Sequence, residues 1–218
     1  MYNNTNIQDN ILNKNSIINS YNRVSSFYDY TFGQVFRPGR KRLIEMMDCS
    51  NTDKVLEIGI GTGSSFQYYP KETNVIGIDI SPDMLRLATK KIEKNKYNNK
   101  YISMMNGEFL SFADNTFDKV VAMYVISVTE NPKKLIEEMK RVCKDDGDIF
   151  IVNHFSSDTD NVFCRLFEKS LMPVSRILGW KSYFPFNDFN KYANLNIKET
   201  TKTNIFNYWD IIHATNSK

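Results

Sequence analysis

The densest chemical signal in the sequence is the run Glu57-Ile58-Gly59-Ile60-Gly61-Thr62-Gly63, followed by an aspartate, Asp79, twenty residues beyond Gly59. Glycines in alternation let a backbone turn sharply and approach a ligand with no Cβ in the way. The loop follows an apolar stretch from Lys54 and so falls at the carboxyl end of a strand, where open α/β sheets bind ligands. Asp79 closes the next apolar stretch, where a carboxylate can accept from both hydroxyls of a ribose. That pairing alone fits NAD, and a tight turn with a capping acid is the plain structural alternative.

Glycine spacing separates these readings. The dinucleotide fingerprint is GxGxxG, and its third glycine position here is Ser64. The spacing GxGxG preceded by Glu57 resembles class I S-adenosylmethionine-dependent methyltransferases. This likeness implies cofactor contacts from Glu57, Gly59, Gly61, Gly63, Asp79 and the adjoining Ile80. Adenine then falls to the end of the third strand, where Asn106-Gly107-Glu108 stands. The Asn106 amide oxygen can accept from the adenine amino group, although many members of the class carry aspartate there. Met123, at the end of the fourth strand, completes the set.

These residues require a particular scaffold. A helical segment near 38–47 precedes strands at 54–60, 74–80, 101–105, within 117–127, and at 148–153. Ser81-Pro82 and Asn131-Pro132 each read as an N-cap followed by proline in a first helical turn. Strands alternating with helices need crossover connections, hence an α/β, doubly wound, mostly parallel sheet. Two further strands at 196–203 and 208–215 complete seven, with the last antiparallel. The Asn-rich residues 1–20 carry Ile7, Ile11, Leu12, Ile17 and Ile18 near helical spacing. They read as a weakly amphipathic arm before a single domain over 21–218.

Composition bounds the rest. The chain has 218 residues, 41% apolar and 24% charged, with a net charge of +3. That is one globular domain, too weakly basic to point to nucleic acid and compatible with attraction to an anionic membrane. Cys49, Cys143 and Cys164 form no CxxC or Cys/His cluster, so the sequence predicts reduced core thiols and no metal site. The first ten residues lack the cationic and apolar blocks of a secretion signal. No apolar run reaches about 18 residues, so lipid contact is expected to be peripheral.

A narrower resemblance rests on Tyr28-Asp29, Phe32-Gly33, Pro38-Gly39-Arg40, Val55-Leu56-Glu57-Ile58-Gly59, Val121-Ala122-Met123-Tyr124-Val125 and Ile151-Val152-Asn153-His154-Phe155. Leu178-Gly179-Trp180 and Phe184-Pro185 extend it. Over roughly residues 21–186 the chain resembles bacterial phosphatidylethanolamine N-methyltransferases of the soluble, membrane-associating type. The resemblance implies methylation of phosphatidylethanolamine towards phosphatidylcholine, in the cytoplasm at the inner face of the membrane. Methyl transfer from a sulfonium needs no metal; it needs amine, methyl and sulfur held in line with water excluded. Tyr28, Tyr124 and His154 are the candidates to orient or deprotonate the amine, and aromatic faces can hold a methylated ammonium. Tyr28 is equally suited to packing an entry helix over the cofactor. Arg40, Arg165, Arg176 and Lys181 are candidate cations for the lipid phosphate, beside Trp180, Tyr183, Phe184 and Phe186. His213 is expected to be structural and the chain monomeric. Other readings are a quinone C-methyltransferase, a soluble amine N-methyltransferase, or a catalytically silent cofactor-binding protein.

Overall fold

The computed structural model describes residues 34–155, 184–204 and 208–217. Helix α1 covers residues 34–47 and reaches further back than the expected start at Pro38. Strand β1 is Lys54–Ile58, β2 Asn74–Asp79, β3 Lys100–Met104 and β4 Phe117–Met123. Helix α2 runs Pro82–Asn95 and α3 runs Pro132–Val142. Strand β5 is Cys143–His154, helix α4 Phe186–Ala193, and strands β6 and β7 are Asn196–Thr203 and Trp209–Thr215.

The helix starts follow from local chemistry. Ser81 Oγ accepts from Met84 N at 3.3 Å and Asn131 Oδ1 accepts from Lys134 N at 3.0 Å. Each satisfies an otherwise orphaned N–H, and the proline that follows has none to satisfy. Strand β5 begins five residues before the expected Asp148. Cys143 pairs with Phe117, Lys119 pairs with Asp148, and the intervening residues are accommodated by a register irregularity.

The strands form one seven-stranded sheet in the order β3-β2-β1-β4-β5-β7-β6. The first five are parallel, and β7 lies antiparallel between β5 and β6. Side chains alternate across the sheet, as the period of two demands. Leu56, Ile58, Val120 and Ala122 face α3 and α4, packing with Leu135, Met139 and Phe189. Val55, Val121 and Met123 face α1 and α2, packing with Leu43, Ile44, Met47 and Leu85. From β1 the chain winds outward through β2 to β3, then returns to lay β4 on the other side of β1. The reversal opens a crevice at the strands' carboxyl ends, between β1 and β4.

Candidate functional site

That crevice holds a cleft of about 880 Å³ including its open mouth. Its walls include Gly59, Gly61, Asp79, Ile80, Asn106 and Tyr124. Three glycines of the loop have left-handed backbone, with φ of +73°, +54° and +73° at Gly59, Gly61 and Gly63. The loop folds back on β2: Gly59 N and Ile60 N both donate to Ile78 O, at 2.8 and 2.9 Å. A Cβ on Gly61 would meet no protein atom within 4 Å, so the backbone there faces open space in the cleft wall.

Asp79 stands where the sequence predicts. Its Oδ2 accepts from Gly61 N at 2.8 Å and its Oδ1 from Ser81 N at 2.9 Å. Burial raises its carboxyl above the usual aspartate range, against these backbone N–H groups and that of Ile80, which stabilise the charged form. Each carboxylate oxygen retains acceptor capacity beyond one bond, so the group suits a vicinal diol. Apolar side chains of Ile58, Ile80, Met105 and Leu135 supply walls for a flat ring.

Several of the expected residues also hold hydrogen bonds within the protein. Asn106 Oδ1 accepts from Glu108 N at 3.0 Å, closing its own turn with one of the oxygen's two lone pairs. Glu108 lines the cleft, but its carboxylate accepts from the Thr129 hydroxyl and from Asn131 N, the latter at 3.0 Å. It thereby ties the turn after β3 to the loop after β4. Gly107 and Met123 both line the cleft.

Glu57 and Gly63 stand behind the cleft wall. Glu57 is 2% exposed, and its Oε2 accepts from Ser65 Oγ and Tyr69 Oη, each at 2.9 Å. Burial pushes its carboxyl up to about 7, while the two hydroxyl bonds and the field of Arg40 act in the opposite sense. Glu57 therefore anchors the segment that follows the glycine loop.

Of the amine-handling candidates, Tyr124 lines the cleft with φ of +62°. Its hydroxyl donates to Phe36 O at 3.2 Å and accepts from Asn204 Nδ2 at 2.9 Å. The hydroxyl thus gives its proton and one of its lone pairs to protein groups. His154 ends β5, is buried, and pairs through Nε2 with Tyr208 Oη at 3.0 Å, its ring stacked 4.1 Å from that of Tyr208. It stands outside the cleft lining. Arg40 places its guanidinium 5.8 Å from the ring centroids of both Phe36 and Tyr124. Tyr28, Arg165, Arg176, Trp180, Lys181, Tyr183 and the arm at 1–20 lie outside the described residues. His213 bonds Asp148 Oδ1 at 2.8 Å on the outer part of the sheet, as a structural residue.

Sequence reasoning missed Ser65, Tyr69, Thr129, Lys91 and Asn204. Lys91 Nζ donates to Thr62 Oγ1 and Ser64 Oγ at 3.0 and 2.8 Å, bracing the glycine loop from α2. These pairs join distant positions and carry no spacing signature; only the position of Ser65 just beyond the loop offers a local hint.

A methyltransferase domain model matches residues 56–151, the stretch from β1 through β5. The chain is 36% identical over 187 residues to a phosphatidylethanolamine N-methyltransferase of Cereibacter sphaeroides, covering 85% of this chain and 90% of that one. It is 27% identical to a demethylmenaquinone methyltransferase of Porphyromonas gingivalis, over 63% of this chain and 57% of that one. Among solved structures, a Haemonchus contortus phosphoethanolamine N-methyltransferase in complex with phosphomonomethylethanolamine and S-adenosylhomocysteine superposes with a TM-score of 0.73. It is 16% identical, with 93% of this chain and 61% of that one covered.

Proposed function

The chain belongs to the class I S-adenosylmethionine-dependent methyltransferases, and on that premise we propose that it methylates the amine of phosphatidylethanolamine, stepwise towards phosphatidylcholine. The observation that carries the proposal is the 36% identity to the Cereibacter sphaeroides enzyme across nine-tenths of that protein's length. Bound S-adenosylmethionine supplies an electrophilic methyl group on a sulfonium. The residues present fit that group: Gly59 and Gly61 offer a close backbone, Asp79 an acceptor pair for ribose hydroxyls, and Ile80 and Met105 apolar walls for adenine. Asn106, Gly107 and Glu108 shape the adenine end through the turn they close.

On the acceptor side, the Tyr124 ring borders the cleft beside Met123 and Val125. Arg40, over the Phe36 and Tyr124 rings, is the cation assigned to the headgroup phosphate in this reading, with Arg176 and Lys181 further along the chain. His154 and Tyr28 are the other polar candidates for handling the amine and its proton. A phospholipid amine stays at the bilayer surface, so the enzyme must dock there. No helix among the described residues is long and apolar enough to cross a membrane. The proposal includes a monomeric protein held peripherally on an anionic membrane, at its cytoplasmic face.

The test is mass spectrometry of lipids from a phosphatidylcholine-free host expressing the chain. Mono-, di- and trimethylated phosphatidylethanolamine are the expected products. Unchanged phospholipids together with newly methylated quinones would replace this reading with quinone C-methylation, which the Porphyromonas gingivalis relative favours.

A further inference from the structure

Three distant parts of the chain converge behind the acceptor side of the cleft. Gly39 in α1 donates its N–H to Asn204 Oδ1 at 2.6 Å. Asn204, in the turn after β6, donates from Nδ2 to Tyr124 Oη at 2.9 Å. Tyr124, just past β4, donates its hydroxyl proton to Phe36 O at 3.2 Å, and its ring stacks on Phe36 with centroids 4.2 Å apart. The roles of donor and acceptor fix the amide's orientation. A tyrosine hydroxyl has one proton, and giving it to Phe36 O leaves it an acceptor, so it must face an N–H. The Gly39 amide is a donor, so it must face an oxygen. Asparagine presents one of each on a single planar group.

Two backbone features point to the same contact. Tyr124 and Asn204 both hold left-handed backbone, at φ +62° and +61°. For tyrosine that conformation is uncommon and costly, and it persists where surrounding contacts determine it. A Cβ at Gly39 would overlap the Tyr124 hydroxyl and come within 2.7 and 2.8 Å of Asn204 Oδ1 and Nδ2. Glycine, which weakens a helix interior, is the residue that lets the two side chains reach the helix backbone.

We propose that Asn204 is a positioning residue for methyl transfer, holding the Tyr124 ring and helix α1 in one arrangement through the Tyr124 hydroxyl and the Gly39 amide. The inference rests on the reading above that the methyl acceptor meets the cleft at Tyr124. Asn204 lines no part of the cleft; its effect reaches the acceptor through Tyr124 and leaves the glycine loop and Asp79 untouched.

The test uses the full chain with phosphatidylethanolamine in mixed vesicles as acceptor. Asn204→Gly keeps the left-handed backbone and deletes the amide. Asn204→Asp keeps an acceptor for Gly39 and removes the donor to Tyr124. Loss of one or two neutral hydrogen bonds predicts a fall in kcat of about ten-fold for each variant, with S-adenosylhomocysteine affinity changed less than about two-fold. Because both side chains meet in the Asn204–Tyr124 bond, adding Tyr124→Phe to Asn204→Gly should lower kcat by less than the product of the two single effects. Unchanged kcat, additive losses, or a matching loss of cofactor affinity overturns the proposal. A wild-type protein inert on phosphatidylethanolamine overturns the lipid reading instead. The contact is then judged from thermal melts of the same single and double variants, where additive shifts refute it and non-additive shifts support it.

Discussion

Glu57→Gln separates the charge of the buried carboxyl from its hydrogen bonds. Both contacts, from Ser65 and Tyr69, reach one oxygen at 2.9 Å, and the glutamine carbonyl can receive both. What the substitution removes is the titration. Burial raises the carboxyl from 4.5 to about 7, so the folded protein keeps a proton that the unfolded chain releases above pH 4.5. A raised folded-state pKa stabilises fully below the unfolded value, and that contribution is lost as pH rises through the folded one. At about 1.4 kcal/mol per pH unit, the span from 4.5 to about 7 amounts to about 3 kcal/mol. Wild type should therefore lose about that much stability relative to Glu57→Gln between pH 4.5 and 7, and the difference should be flat above. Asp79, also raised, contributes to both proteins equally and cancels. Urea melts of the two proteins without cofactor, at half-unit steps of pH, measure it. A difference that stays constant across the window, within about 0.5 kcal/mol, would refute the argument that burial dominates at Glu57.

Asp79→Ala strands the Gly61 and Ser81 N–H groups and removes the acceptor for ribose; calorimetry with S-adenosylhomocysteine should show a loss of about 2–3 kcal/mol, and unchanged affinity would end the assignment. Gly59→Ala places a Cβ against the Val125 side chain at φ +73°. Strain and overpacking together should cost about 2–4 kcal/mol in a denaturant melt, so a neutral result would refute the loop geometry. Binding to anionic vesicles, read by flotation, should weaken from low salt to about 0.5 M as charges are screened. Salt-independent binding would assign docking to apolar burial alone.

The local sequence determined the seven strands, helices α1 to α3 and their order, while helix α4 at Phe186–Ala193 was not among the expected elements. Apolar runs of strand length, the two cap-plus-proline starts and the glycine spacing act within a few residues, so their physics is complete in the sequence. Hence β6 appears at the predicted bounds, the caps at Ser81 and Asn131 hold, and Gly59, Gly61 and Asp79 meet at the cleft. The early start of β5 was not legible, because its first residue is recruited by pairing with Phe117 across the sheet.

Tertiary structure alone decided where each polar atom is spent. Glu108 and Tyr124 both reach the cleft, yet Glu108 Oε1 and the Tyr124 hydroxyl bond protein groups far along the chain. A buried polar atom must find a partner wherever the fold brings one. For Tyr124 that partner, Asn204, is 80 positions away along the chain. Glu57 shows the same division: its place before the glycines is a sequence pattern, whereas its raised carboxyl exists because packing removes water from around it. Residue type and spacing state which groups a site holds. Burial and contacts between distant segments decide which of those groups remain available for chemistry.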